Sequence, residues 1–482
     1  MIKKQNSASA WGSRSARKKR WVSKALLVRA AEIGALAMLL WGNAPVLAQE
    51  AVYQEEPTPK SVDEITTPMG RSFEEKKPRP VLFPRLKEGL EDTPAFFRDT
   101  KLDVNLRTYY FWQENTGRSI KEAWALGGAL SYQSGYFLDH FSVGAVLYTS
   151  QPFYAPEDRD GTLLLAPGQE GYTVLGQVYG RVKLVEDNFI NLYRYEYNTP
   201  YINKNDSRMT PNTFEGYTFQ GAVGDKEGGS RVNYGFGYID KIKTRTDSTF
   251  QSMSRAAGAQ VDRGVFVGGF KYSYRGFQGG AINYYSQDII NIGYGEAVYT
   301  WKVTDLLGVL FAGQFTDQRS LGANLLTGSA FHGTQFGIMT NLSYRNGILT
   351  LAYTHTGNGA NMQNPWSSYP GYTYVQVEEF KRAGEEAVMV KGSLNFARFG
   401  LETLTAYALW VHGWGAINPS TNASVVQQDE YDLDLQWRPR SEFLKGFWFR
   451  ARYAHVASRS GNPAGFPIDE VRFIVNYDFP LL

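Results

Sequence analysis

The chain has 482 residues, 15% of them aromatic, with 49 Gly and no Cys. A mean hydropathy of −0.36 and the lack of any run of about 18 apolar residues exclude a bundle of membrane-spanning helices, and the absence of Cys excludes a disulfide framework. The formal charge of +3 does not mark a nucleic-acid binder, because the excess sits in the first 32 residues, which carry nine Lys/Arg and Glu32 as the only acid.

That basic stretch is followed by an apolar segment, Ile33 to Trp41, and then by Ala44-Pro45-Val46-Leu47-Ala48, with small residues at the −3 and −1 positions of a cut after Ala48. Residues 1–48 therefore read as a secretory signal peptide. Its removal leaves 41 basic against 46 acidic residues, a mature charge of about −5. Residues 49–100 hold seven prolines and many charges with little periodicity. They read as a Pro-rich, mostly irregular periplasmic N-terminal extension.

From Lys101 the period becomes two. In Leu102-Asp103-Val104-Asn105-Leu106-Arg107 one face is apolar and the other polar, and Val471, Phe473, Val475, Tyr477 and Phe479 alternate with polar neighbours at the far end. Strands with lipid on one side and water on the other have this pattern. Hairpins are expected at Gly135-Tyr136, Glu186-Asp187, Arg275-Gly276 and Arg345-Asn346-Gly347, where Asn-Gly is a strong turn signal. Longer connections alternate with these, near 113–121, 151–170, 198–212, 242–262, 317–330, 357–386, 412–427 and 458–468. The expected fold of 101–482 is all-β: a transmembrane antiparallel β-barrel of about 18 strands, with short periplasmic turns and long external loops. A propeller or solenoid would show a fixed repeat, and none is found. A barrel this wide encloses water, which points to a pore.

Alternation also assigns the lumen face. Arg107, Arg181, Lys183, Arg231, Lys271, Lys391, Arg450, Arg452 and Arg472 fall on the inward parity, as do Asp103, Asp432 and Asp434. A Lys or Arg turned to lipid near the midplane costs about 2–4 kcal/mol, so inward placement is the cheaper one. Several inward cations form a track that attracts anionic groups. Parity is ambiguous for 188–197 and 400–411.

The connection 198–212, Asn198-Thr199-Pro200-Tyr201-Ile202-Asn203-Lys204-Asn205-Asp206-Ser207-Arg208-Met209-Thr210-Pro211-Asn212, has the makings of a loop that folds into a lumen. Its prolines cut entropy and its polar side chains meet water. Together with the following Thr213-Phe214-Glu215-Gly216-Tyr217, it resembles the third-loop segment of OprD-type outer-membrane porins. Lys101 to Arg107 and Gly127 to Tyr136 are similar to that family's first strands. The resemblance spans about residues 100–482. It implies an eighteen-stranded, substrate-selective pore, monomeric or loosely trimeric, in the outer membrane of a Gram-negative cell. It also implies an inward third loop forming an eyelet, with Ser207 and Arg208 at the constriction beside Asp206 and Tyr201, and a basic ladder for small hydrophilic or carboxylate-bearing solutes. The partners it implies are outer-membrane lipid and the barrel-assembly machinery, with no nucleic acid and no cofactor.

Catalysis finds little support. The five His are scattered, with no metal-ligand spacing and no nucleophile motif. Asp158-Arg159-Asp160-Gly161 lacks the distal Glu of a calcium loop and reads as a solvated turn. The competing readings are a surface adhesin or structural barrel and, further off, a barrel-embedded hydrolase. A gated receptor needs a plug of well over a hundred residues, and only about fifty residues of the expected mature chain precede the first strand.

Overall fold

The computed structural model describes residues 81–482 except 117–118, 226–228, 402, 442 and 459–466. The expected signal peptide, most of the extension and the tip of the last long loop lie outside the described residues. Eighteen strands, from Lys101–Asn115 to Ile468–Pro480, each pair antiparallel with the next, and the first pairs with the last. The two-residue strand Gln251–Ser252 is an appendage on Arg231–Lys243. The sheet is thus a closed barrel, which removes every free edge.

Alternation appears directly in burial. Along Gln428–Trp437, Glu430, Asp432, Asp434 and Gln436 are buried, while Tyr431, Leu433, Leu435 and Trp437 are exposed on the outer wall. The outer face carries many large exposed apolar residues, such as Leu106, Phe236, Phe266, Phe311 and Phe473, which suits hydrocarbon as solvent. Three of the four tight turns fall where expected; the one expected at Gly135-Tyr136 lies further on, where Leu138 and Asp139 take φ of 50° and 60° and Phe137 bridges to Phe141. Asp187, Arg275 and Arg345 take φ of 59°, 52° and 53°, the left-handed conformation that two-residue hairpins demand.

Two parts differ from expectation. The described end of the N-terminal extension is not irregular: Pro84–Leu90 and Ala95–Arg98 are helical. Pro84 at the first helical position sets φ and gives up no needed N–H, which explains the start. The connection 357–385, expected outside, packs inside the barrel against the third loop, with Trp366, Tyr369, Tyr372, Val375 and Phe380 all buried.

Candidate functional site

The third loop is anchored before it is aimed. Tyr201 and Ile202 are buried in an aromatic cluster with Tyr284, Tyr294 and Tyr369, whose rings stand edge-to-face with Tyr201 at 5.8, 6.4 and 6.1 Å. Tyr284 OH donates to Thr199 Oγ1 at 2.8 Å and accepts from Tyr201 N at 3.2 Å. Tyr201 is therefore a wall anchor, separated from the loop tip. That corrects its expected place at the constriction, since a ring this apolar is better satisfied in a packed cluster than in lumen water.

The tip, Asn205 to Arg208, turns tightly. Asn205 has φ 41°, Ser207 N donates to Asn205 O at 2.7 Å, and Ser207 Oγ donates to Asn205 Oδ1 at 2.9 Å. Asp206 accepts two bonds from Arg107 on the first strand, at 2.6 and 3.0 Å, and Arg107 also donates to Arg208 O at 2.7 Å. Arg208 Nε donates to Thr162 O at 2.8 Å, and its guanidinium lies 4.8 Å from the Phe111 ring centre. Arg245, from the connection after Arg231–Lys243, donates to Ser207 Oγ and, at 3.3 Å, to Asn205 Oδ1. Neither Arg208 nor Arg245 has a carboxylate in ion-pair contact among the described residues; neutral oxygens hold both. Burial first, then the neighbouring Arg472 and Arg245, push the Arg208 guanidinium down from its ordinary value.

The wall beside the tip carries a row set by strand register. Phe111, Arg472, Arg452, Asp434 and Tyr407 are successive cross-strand partners over five strands. Because barrel strands tilt, such a row runs obliquely to the pore axis. Arg472 lies 5.5 Å from the same Phe111 ring and pairs with Glu470. Arg450 and Arg452 share Asp434 at 2.7 and 2.9 Å. Arg452 and Arg472 stand directly opposite each other, a like-charge arrangement that works against sheet stability. Lys391 lies over the Tyr407 ring at 4.9 Å.

The remaining inward residues sit elsewhere. Arg181 donates to Asn191 and Tyr195, Lys183 lies over Tyr136, and Arg231 pairs with Asp187 of a short turn at 3.0 Å. Lys271 and Glu296 are both register partners of Gly280. Asp103 lies near the first strand's periplasmic end, opposite Pro480.

Sequence reasoning missed the second inward loop. Glu430 accepts from Val377 N and Glu378 N at 2.8 and 2.7 Å, and Asp432 accepts from Gln376 N at 3.1 Å. Gln376 also bridges Glu470 and Arg472, at 3.0 and 3.1 Å. Tyr372 OH donates to Glu296 at 3.0 Å. The wall carboxylates thus serve two tasks: they pair with arginines, and they hold a loop backbone. The two loops meet where Asn203 Oδ1 accepts from Ser367 Oγ and Ser368 Oγ at 2.6 and 3.1 Å. Among the described residues no group of three His, Cys, Asp or Glu could hold a metal ion.

The sequence model of the family described as "outer membrane porin, OprD family" matches residues 94–481. The porin-like protein GalP of Pseudomonas putida is 24% identical over 413 residues, which are 80% of this chain and 94% of that one. Porin D of Pseudomonas aeruginosa is 21% identical over 425 residues, 81% and 93% of the two chains. Among solved structures, OccK9 (OpdG) of P. aeruginosa superposes with a TM-score of 0.71 at 23% identity, covering 80% of this chain and all of that one. OpdK of the same species, solved with vanillate, gives 0.69 at 19%, with the same coverage.

Proposed function

Since the chain belongs to the OprD family of outer membrane porins, it is a passive channel for small hydrophilic solutes and not an enzyme, and we propose that this channel favours solutes bearing a carboxylate. One observation carries the reading: Arg208 and Arg245 converge on the third-loop tip with only neutral oxygens as partners. Their charge is not cancelled by a contacting carboxylate and acts on what enters the eyelet. A planar guanidinium receives a carboxylate through two parallel bonds, which a neutral solute cannot offer. A solute leaving the tip would then pass from Arg208 to Arg472 across the Phe111 ring and on to Arg452. Solved OpdK holds vanillate, itself a carboxylate, in a barrel of the same fold.

The test is the reversal potential of the reconstituted pore in potassium salts of small carboxylates, compared with flux of neutral amides of the same size. The proposal expects carboxylate permeation above that of the size-matched amide. Equal passage would refute it while leaving the channel itself in place.

A further inference from the structure

The segment 82–98 lies at the periplasmic end of the barrel, and part of it precedes the family match, which begins at residue 94. The segment crosses under the seam where the barrel closes. Leu82 N donates to Pro480 O at 3.0 Å, at the end of the last strand, and Phe83 N to Leu481 O at 3.1 Å, just beyond it. Leu481 N in turn donates to Leu102 O on the first strand at 2.7 Å. At the other end, Phe96 O accepts from Gly135 N at 3.0 Å, and the Phe96 ring stands edge-to-face with Phe137, 6.3 Å away. Gly135 is required there, because a Cβ would lie 1.9 Å from Ala95 O. The segment is thus tied to the last strand at one end and to the turn after the second strand at the other, with the closing pair between.

What it presents outward is apolar. Leu82, Phe83, Leu86 and Phe97 are 58, 49, 53 and 52% exposed. Phe83, Leu86 and Leu90 recur at a helical turn's spacing and share one side of Pro84–Leu90, while Glu88 falls on the opposite side. Lys87 borders the apolar stripe, and Arg85 lies beside Glu88 on the polar side. Next to this patch, Phe137, Leu138 and Phe141 are also exposed, and Phe141 opens a strand of the lipid-facing wall. Through Phe96, whose ring stands edge-to-face with both Phe97 and Phe137, the Phe97 end of the patch meets the surface that already faces lipid. An apolar stripe opposed by a polar face that carries basic residues is the pattern of a helix lying in a membrane interface.

We propose that residues 82–98 form an interfacial anchor: a clasp under the barrel seam that rests its Leu82, Phe83, Leu86 and Phe97 side chains in the periplasmic leaflet, with Arg85 and Lys87 at the phospholipid headgroups. The occupant is the lipid surface, not a second protein. The anchor holds the two terminal strands together.

The absence of native Cys makes the test direct. Leu86→Cys, Glu88→Cys and Leu106→Cys, each in the full-length mature chain, are spin-labelled and reconstituted in phosphatidylethanolamine/phosphatidylglycerol bilayers. Folding is verified by heat-dependent gel migration. Collision rates with oxygen, which partitions into lipid, and with a water-soluble nickel chelate are then measured. The label at 86 is expected to match the lipid-facing label at 106, with an oxygen-to-nickel ratio several-fold above that at 88. Equal, water-like ratios at 86 and 88 would overturn the proposal. Phe97→Cys on the second helix, against Asp92→Cys in the turn before it, repeats the test and decides it if the Leu86 variant does not fold.

Discussion

Replacing Arg208 with Gln removes one positive charge from the third-loop tip and little else. The guanidinium sits against Thr162 O, Ser207 O and the Phe111 ring, with no carboxylate paired to it. Its loss therefore orphans no acid, and Gln keeps a donor of nearly the same reach. A unit charge acts on an anion about 4 Å away with about 1 kcal/mol in a water-like dielectric and about 4 kcal/mol at an effective dielectric of 20. A wet eyelet lies near the lower figure, and about 1 kcal/mol corresponds to about a fivefold change in a permeability ratio. The assay is the reversal potential of single channels under a salt gradient. The anion-to-cation ratio is expected to fall about fivefold at low salt, near 0.1 M, where the Debye length is about 10 Å, and to fall less near 1 M, where it is about 3 Å. An unchanged ratio at low salt, in a variant of unchanged conductance, would refute the reasoning. A shift equal at both salts would show that the effect is steric and not electrostatic.

Asp434→Asn should act in the opposite direction. It leaves Arg450 and Arg452 without their shared carboxylate. Breaking a buried pair costs about 3–5 kcal/mol in a dry core and less beside lumen water, so anion preference should rise while the heat-dependent gel transition moves to lower temperature. Glu430→Gln keeps one acceptor where two backbone N–H groups now bond a carboxylate. Weakening a charged hydrogen bond worth about 1.5–3 kcal/mol should loosen the second loop, seen as added current noise and larger open-channel conductance. Burial holds the Glu378 carboxyl above its usual 4.5, helped by Glu385 and Glu379 against Arg382. It therefore takes up its proton at a higher pH than an exposed Glu, and anion preference should begin to rise on acidification before pH falls to 4.5, as measured by reversal potential against pH.

Much of the barrel was legible because lipid and water write opposite demands on alternate residues. The strand expected at 446–457 is found at Phe447–Ser458, and that expected at 469–479 at Ile468–Pro480. Parity assigns Arg107, Arg452 and Arg472 to one face because nothing local interrupts alternation there. It could not follow the bulges between Val146 and Leu147 and between Glu215 and Gly216, where one extra residue shifts the face. The ambiguous strand near 188–197 contains Tyr193 at φ 79°, a local departure from extended backbone. The site was legible only in part. The third loop announces itself by its prolines and charges. The connection 357–385 carries no comparable mark, since its inward course depends on Glu430, Asp432 and Glu296, which lie on strands remote in sequence. Arg245 was hidden in the same way: its place at the tip follows from Tyr172 and Thr210 holding its carbonyl at 2.9 and 3.1 Å. Tyr201 shows the converse error, a polar-tipped residue in a polar loop that the fold uses for its ring.

The junction of Asn203 with Ser367 and Ser368 turns two hanging loops into a single arch across the lumen. An arch bears load as a unit: each limb is propped by the other, and removing one support lowers the resistance of both. Opening such a pore wider is then a cooperative event, because the serine contacts must part before either limb swings free. Thermal agitation of this eyelet should accordingly show as discrete steps between two current levels, not as a continuous flutter, and the dwell time in the narrow level measures the strength of the keystone.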